Sequence, residues 1–290
     1  MMKHEGRRAS VLVSMMLALS ACRASEPPKP VLETQTNTQG CVRVRSTGPQ
    51  DPAAVPVPIK QACVGPYLLE LPQNYFYNQM GTEFDGSFAL ALEYPSLEPF
   101  KPGERSALTV DVSVRTVRID YRFTDHADLP QVLRNAYTPM QFQRDDPAAS
   151  LDGRLLGDSI YGLTPYYADM ARIRTYLRSE GLRDDAPGMR DRWHTDWFVT
   201  RDNNGTVERI IKCTSRGVTS VGVGYRAGKI VRNNERYVAE CDHTFPISDH
   251  GTIVRVHYAR IGLPDWRRIE GEARELFLDN IVAEKEANGS

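Results

Sequence analysis

The stretch Thr195-Asp196-Trp197-Phe198-Val199-Thr200-Arg201-Asp202-Asn203-Asn204-Gly205-Thr206-Val207-Glu208-Arg209-Ile210-Ile211-Lys212-Cys213 holds two β-prone runs around a polar centre. Asn204-Gly205 is the preferred pair for a tight turn, since both residues tolerate positive φ. A calcium loop would use the same oxygens, but the ligand pattern stops too early for an EF-hand. The stretch therefore predicts an antiparallel hairpin. Fold class turns on how many such runs surround it.

Toward the C-terminus, Val218–Tyr225, Arg236–Cys241 and Thr252–Arg260 read as further strands. A helix follows from Leu263-Pro264-Asp265, with Trp266, Ile269, Ala273, Leu276, Phe277 and Ile281 on one stripe. Trp266 on such a stripe reads as core. Toward the N-terminus, Tyr67–Leu71 and Ser87–Tyr94 are short strands. Leu108–Phe123 alternates with period two, but the phase flips between Val114 and Val117. One long strand with a β-bulge or break near Arg115-Thr116 restores the inward face. Leu129–Met140 reads as a helix with Pro130 in its first turn, and Tyr166–Leu177 fits either a helix or a strand. Residues 181–191 read as a loop. The expected class is α+β, with largely antiparallel sheets and a few packed helices. A strand-rich half with a helix, twice over, fits two similar lobes, residues 41–155 and 156–290.

Composition adds exclusions. The chain has 290 residues, 41% hydrophobic and 25% charged, with a formal net charge of −1. That is ordinary globular composition, and a near-neutral balance supplies no general attraction to nucleic acid. The first segment reads as an address. Lys3, Arg7 and Arg8 precede a short apolar run from Val11 to Ala21, the build of a secretory signal over residues 1–21. Leu19-Ser20-Ala21-Cys22 resembles the lipobox of bacterial lipoproteins, which makes Cys22 the expected lipidated first residue. Arg23 stands where an aspartate would signal inner-membrane retention, so the expected location is the outer membrane, facing the periplasm. Residues 22–40 are Pro-rich and then polar, and read as a flexible tether with a reach of about 25 Å.

Four cysteines remain: Cys41, Cys63, Cys213 and Cys241. An even number in an exported chain suggests disulfides, and four allow three pairings. The local pairing Cys41–Cys63 and Cys213–Cys241 is preferred, because each pair lies within one segment. A metal site built on Cys241-Asp242-His243 with His250 and His257 competes, but lacks the short paired spacing of zinc sites.

Chemical motifs are sparse. There is no G-x-S-x-G elbow, H-E-x-x-H, Walker A or G-x-G-x-x-G. Glu83/Asp85 and Asp184/Asp185 read as solvated loop acids. His194 near Asp196, between Trp193 and Trp197, is the best enzymatic fragment but has no nucleophile beside it. Arg115, Arg118 and Arg122 read as a solvated strand face rather than a nucleic-acid surface. No motif asks for a cofactor or a metal.

Cys63-Val64-Gly65-Pro66-Tyr67-Leu68-Leu69-Glu70-Leu71-Pro72 resembles the opening "cysteine-x-glycine, apolar strand, leucine-proline" of immunity lipoproteins related to the Tle-cognate family. Those proteins protect bacteria from phospholipase effectors delivered by type VI secretion. The Cys241-x-His243 segment and Leu263-Pro264-Asp265-Trp266 are similar to envelope proteins of interbacterial killing systems, including type IV killing. The resemblance implies a non-enzymatic, periplasm-facing lipoprotein. Its partners would be a cognate effector toxin and, through the lipid anchor, the membrane. A structural or assembly lipoprotein, and a hydrolase centred on His194 and Asp196, are the alternatives.

Overall fold

The computed structural model describes residues 30–124, 128–233, 235 and 237–284. The signal segment and Cys22 lie outside the described residues. The chain begins with β1 (Val31–Thr36) and β2 (Val42–Thr47), an antiparallel pair. The segment expected to be a flexible tether up to residue 40 thus contains a strand. Composition alone hid it, because Leu32-Glu33-Thr34-Gln35 is polar enough to read as a linker.

Next come β3 (Ile59–Val64) and β4 (Tyr67–Pro72), joined by the two-residue turn Gly65-Pro66. Gly65 has φ +58°, and a Cβ there would sit 2.2 Å from Cδ2 of Phe123. Only glycine allows both the turn and that approach. After β5 (Ala89–Glu93) and β6 (Glu98–Pro99) the chain enters α1 (Val110–Arg115) and then β7 (Thr116–Phe123).

The expected long strand 108–123 is therefore two elements. Thr109 caps α1 by accepting from the Val112 backbone N–H at 3.3 Å, and the helix ends where β7 begins. The phase flip between Val114 and Val117 marks a change of element, not a bulge. The valines Val110, Val112 and Val114 favour a strand by propensity, but packing overrides it, and Val112 and Val114 are buried as helix residues.

A short helix α2 (Leu129–Asn135) follows, with Pro130 in its first turn. Then come β8 (Leu155–Leu156), β9 (Thr164–Tyr167) and α3 (Met170–Ser179). The ambiguous segment 166–177 holds both a strand end and a helix. The hairpin of the opening stretch is β10 (Thr195–Arg201) with β11 (Val207–Thr214). In its turn only Gly205 takes positive φ, +81°, and Asp202 Oδ1 accepts from the N–H groups of Asn204 and Thr206. The register shifts beside it, so the loop is longer than the two-residue Asn-Gly turn expected.

The chain finishes with β12 (Val223–Arg226), β13 (Lys229–Arg232), β14 (Glu240–Ile247) and β15 (Thr252–Ala259). A 3₁₀ turn leads into α4 (Trp266–Leu278), and β16 (Ile281–Glu284) ends the described chain. The fold class is α+β, as expected.

One sheet dominates, with strand order β6-β5-β7-β15-β14-β11-β10-β9-β8 and antiparallel pairing throughout. It draws strands from both halves of the sequence. The division expected after residue 155 falls inside β8, so the two halves share a sheet rather than forming separate lobes. Helix α4 lies on one face of it and buries Trp266, Ile269, Ala273, Leu276 and Phe277 against Ile119, Val254, Val256 and Phe245. Ile269, Leu276 and Phe277 each contribute about 1.5–3 kcal/mol on burial. The side sheet β16-β4-β3 closes over the same core through Tyr67, Leu69 and Leu71.

The cysteines sit at two joints. Cys41 and Cys63 lie at disulfide distance, S–S 2.06 Å, between the turn that precedes β2 and strand β3. Cys213 and Cys241 face each other across β11 and β14, S–S 2.00 Å. This is the local pairing preferred from the sequence.

Candidate functional site

The two faces of the large sheet differ sharply, and period-two alternation is the cause. On β7, Val117, Ile119 and Tyr121 point to the core, so Arg118, Asp120 and Arg122 point the other way. On β15 the outward set is Ile253, Arg255 and His257, and on β14 it is Glu240, Asp242 and Thr244. Strand pairing lines these up. Arg118 stands opposite His257, His257 opposite Asp242, Asp242 opposite Lys212, and Lys212 opposite Trp197. The next row runs from Asp120 through Arg255 and Thr244 to Ile210.

The apolar end of this face is covered. Leu129 and Leu133 of α2 pack with Leu151 over Trp197, Val199 and Ile210, forming a second core. The charged end stays open between α1 and α2 as a groove of about 1050 Å³. Its walls are apolar at Leu108, Val110 and Val132, and its floor carries the charged rows.

The floor is electrostatically ordered. Arg118 donates to Asp120 at 2.8 Å. His257 lies 3.2 Å from Asp242 through Nδ1 and 3.4 Å from Glu240 through Nε2. Hydrogen bonding to Asp242, and then to Glu240, raises the His257 pKa to about 10, so the ring is an imidazolium at neutral pH. The same bond holds Asp242 below the usual carboxylate range. Lys212 is pushed down to about 8, chiefly by burial and then by Arg154 and Arg255. Its Nζ lies 4.0 Å from the Trp197 ring centroid, and the Arg154 guanidinium 3.8 Å from it. Every carboxylate on the floor is engaged by a cation. Arg122 and Arg255 are exposed and make no ion pair among the described residues.

The residues singled out for acid–base chemistry take other roles. His194 Nε2 is 2.7 Å from the Gly188 carbonyl. Asp196 is 2% exposed and accepts from the backbone N–H groups of Ala168 (2.8 Å) and Arg216 (2.6 Å). Both lone-pair sets are committed to holding loops. Asp184 is exposed and paired with Arg178 at 2.7 Å, and Asp85 holds the Ser87 turn. Of the three arginines read as a strand face, Arg118 and Arg122 line the groove. Arg115 instead pairs with Glu93 and Glu104 at its edge.

His243 and His257 lie on opposite faces of the sheet, which separates the residues of the competing metal reading. Among the described residues no group of three or more His, Cys, Asp or Glu is placed to hold a metal ion. His243 is fully buried under α4, 3.2 Å from Glu270, and burial lowers its pKa. Glu270 also meets Arg209 at 3.2 Å and Arg274 at 2.8 Å. Trp266 is core, 3% exposed, and donates through Nε1 to the Tyr161 carbonyl at 3.0 Å. No helix among the described residues is long and apolar enough to cross a membrane.

The geometry defines an α+β protein with a broad antiparallel sheet, one face buried and the other presenting a charged groove. That fold is similar to a solved one: Smlt3025, described as an immunity protein of the Stenotrophomonas maltophilia type IV secretion system. The likeness has a TM-score of 0.65 at 24% identity and covers 87% of this chain and 99% of that chain. No family model and no curated protein matches the chain.

Proposed function

We propose that this chain is an immunity protein: it binds an antibacterial effector delivered by a secretion system and neutralises it. The observation that carries this reading is the shared fold with Smlt3025, which extends over 99% of that chain. Delivery by a type IV system is favoured over type VI by the same likeness. The site chemistry supports binding over catalysis. His194 and Asp196 are spent on loop backbone, and the open groove is ordered by ion pairs rather than by a nucleophile and base.

The effector meets the protein in the periplasm, where lipidation at Cys22 tethers it to the outer membrane. Two or more acyl chains hold a protein there firmly, since each buried methylene adds about 0.8 kcal/mol. The decisive experiment is competition. Deletion of the gene sensitises cells to a neighbour carrying the matching effector, and plasmid-borne wild type restores survival. Full survival of the deletion strain refutes the reading. Cys22→Ser releases the protein from membranes; a variant that still sediments with them refutes the anchor.

A further inference from the structure

The groove carries a more specific statement about the partner. Its cations and anions are not balanced by one another. Asp120 is taken by Arg118, and Asp242 and Glu240 by His257, whereas Arg122 and Arg255 are left exposed. These two guanidiniums are diagonal neighbours on one face, because Arg122 pairs across the ladder with Ile253. Diagonal positions in an antiparallel pair lie about 7–8 Å apart, close enough for one short segment to reach both.

The walls supply the second half of the argument. Leu108 is 73% exposed and Val110 49%, both at the rim of the groove. Exposed apolar side chains beside arginines suit a protein partner, because interface centres are apolar and enriched in arginine. Nucleic acid fits poorly here. Three carboxylates line the floor, and the aromatic ring present, Tyr77, is covered by Arg118 at 4.9 Å and Arg105 at 5.9 Å. A stacking platform is therefore missing among the lining residues.

Resting on the immunity reading, we propose that this groove is where the effector docks, through a loop carrying acidic and apolar side chains. Its carboxylates pair with Arg122 and Arg255, and its apolar residues lie against Leu108 and Val110. The guanidinium fork suits bidentate carboxylate recognition, and neither fork has to leave an ion pair among the described residues to make it.

The test uses the full mature chain, Arg122→Glu/Arg255→Glu, and the exposed control Arg183→Glu. Circular dichroism and thermal midpoint establish that each folds. One arm titrates a fluorescein-labelled acidic decapeptide containing two leucines, alongside a counterpart with lysine in place of each acid. The other arm measures protection in the competition assay. The proposal expects the acidic peptide alone to bind, about 10-fold or more weaker to the double variant. It expects the double variant to lose protection about 100-fold while Arg183→Glu protects fully. A folded double variant that protects like wild type overturns the groove as the docking site and leaves the immunity reading standing. Peptide affinity indifferent to the double substitution overturns the charge assignment. Failure of the wild type to protect removes the immunity reading itself, and the effector as occupant with it. A dimer in sedimentation that the double substitution abolishes makes a second copy the occupant, and overturns the proposal too.

Discussion

Asp242 and His257 stand directly opposite each other across the β14–β15 ladder, with 3.2 Å between the carboxylate and Nδ1. Folding raises the His257 pKa from 6.5 to about 10. The stabilisation is therefore complete below about 6.5, and it is lost as pH rises through about 10. On the acid side, Asp242 is held below 3.8, so its share disappears as pH falls under that range. The urea midpoint of wild type should exceed that of His257→Gln most at pH 5–6 and converge with it near pH 10.5. A gap that widens with pH would reverse the sign and remove the pair.

The buried acid beneath α4 gives a larger effect. Glu270 is 6% exposed and meets Arg209, Arg274 and His243. Truncating it leaves cationic groups without their counter-charge. Glu270→Ala should cost about 3–5 kcal/mol in urea unfolding. A loss under about 1 kcal/mol would mean that water replaces the carboxylate without penalty.

The two cysteine pairs predict different consequences. Each closes a loop of 22 or 28 residues, worth about 3–4 kcal/mol in the chain-entropy model. Cys213 and Cys241 are already held by the β11–β14 ladder, so Cys213→Ala/Cys241→Ala should lower the global thermal midpoint while keeping the register. Cys41 and Cys63 tie the β1–β2 hairpin to β3. Cys41→Ala/Cys63→Ala should therefore expose residues 30–58 to proteolysis with a smaller change in the global transition. Equal, uniform destabilisation by the two double variants would contradict this division.

The hydrolase alternative has its own test. Asp196→Ala leaves two backbone N–H groups unanswered and should cost about 2–3 kcal/mol of stability, and His194→Ala about 1. Protection per folded molecule should be unchanged in both. Loss of protection with stability intact would restore a chemical role to the pair.

Much of the sheet is legible in the residues alone. The Thr195–Cys213 hairpin, the alternation in β7 and β15, and the stripe of α4 all carry their period in the residues themselves. Helix α1 was not legible. Its valines at positions 110, 112 and 114 alternate like a strand, and only packing against β13 and β15 decides otherwise. The groove was half visible. Arg118 and Arg122 could be read as an outward face, but that Arg255, His257 and Asp242 share it depends on register between strands up to 139 residues apart. Side-chain period is local, whereas strand partnership is not. Asp196 misled for the related reason that its partners, the backbone N–H groups of Ala168 and Arg216, lie 28 and 20 residues away in sequence.

Strand β16 pairs with β4, which lies more than 200 residues earlier, and α4 immediately before it supplies much of the main core. A chain that emerges N-terminus first, from a ribosome or a translocation channel, cannot complete either the side sheet or that core until residues 266–284 are free. The long sequence separation of these pairings makes them late contacts in folding, formed only after the central strands are available. The order in which the strands are joined thus makes the last described elements the clasp that closes the whole molecule.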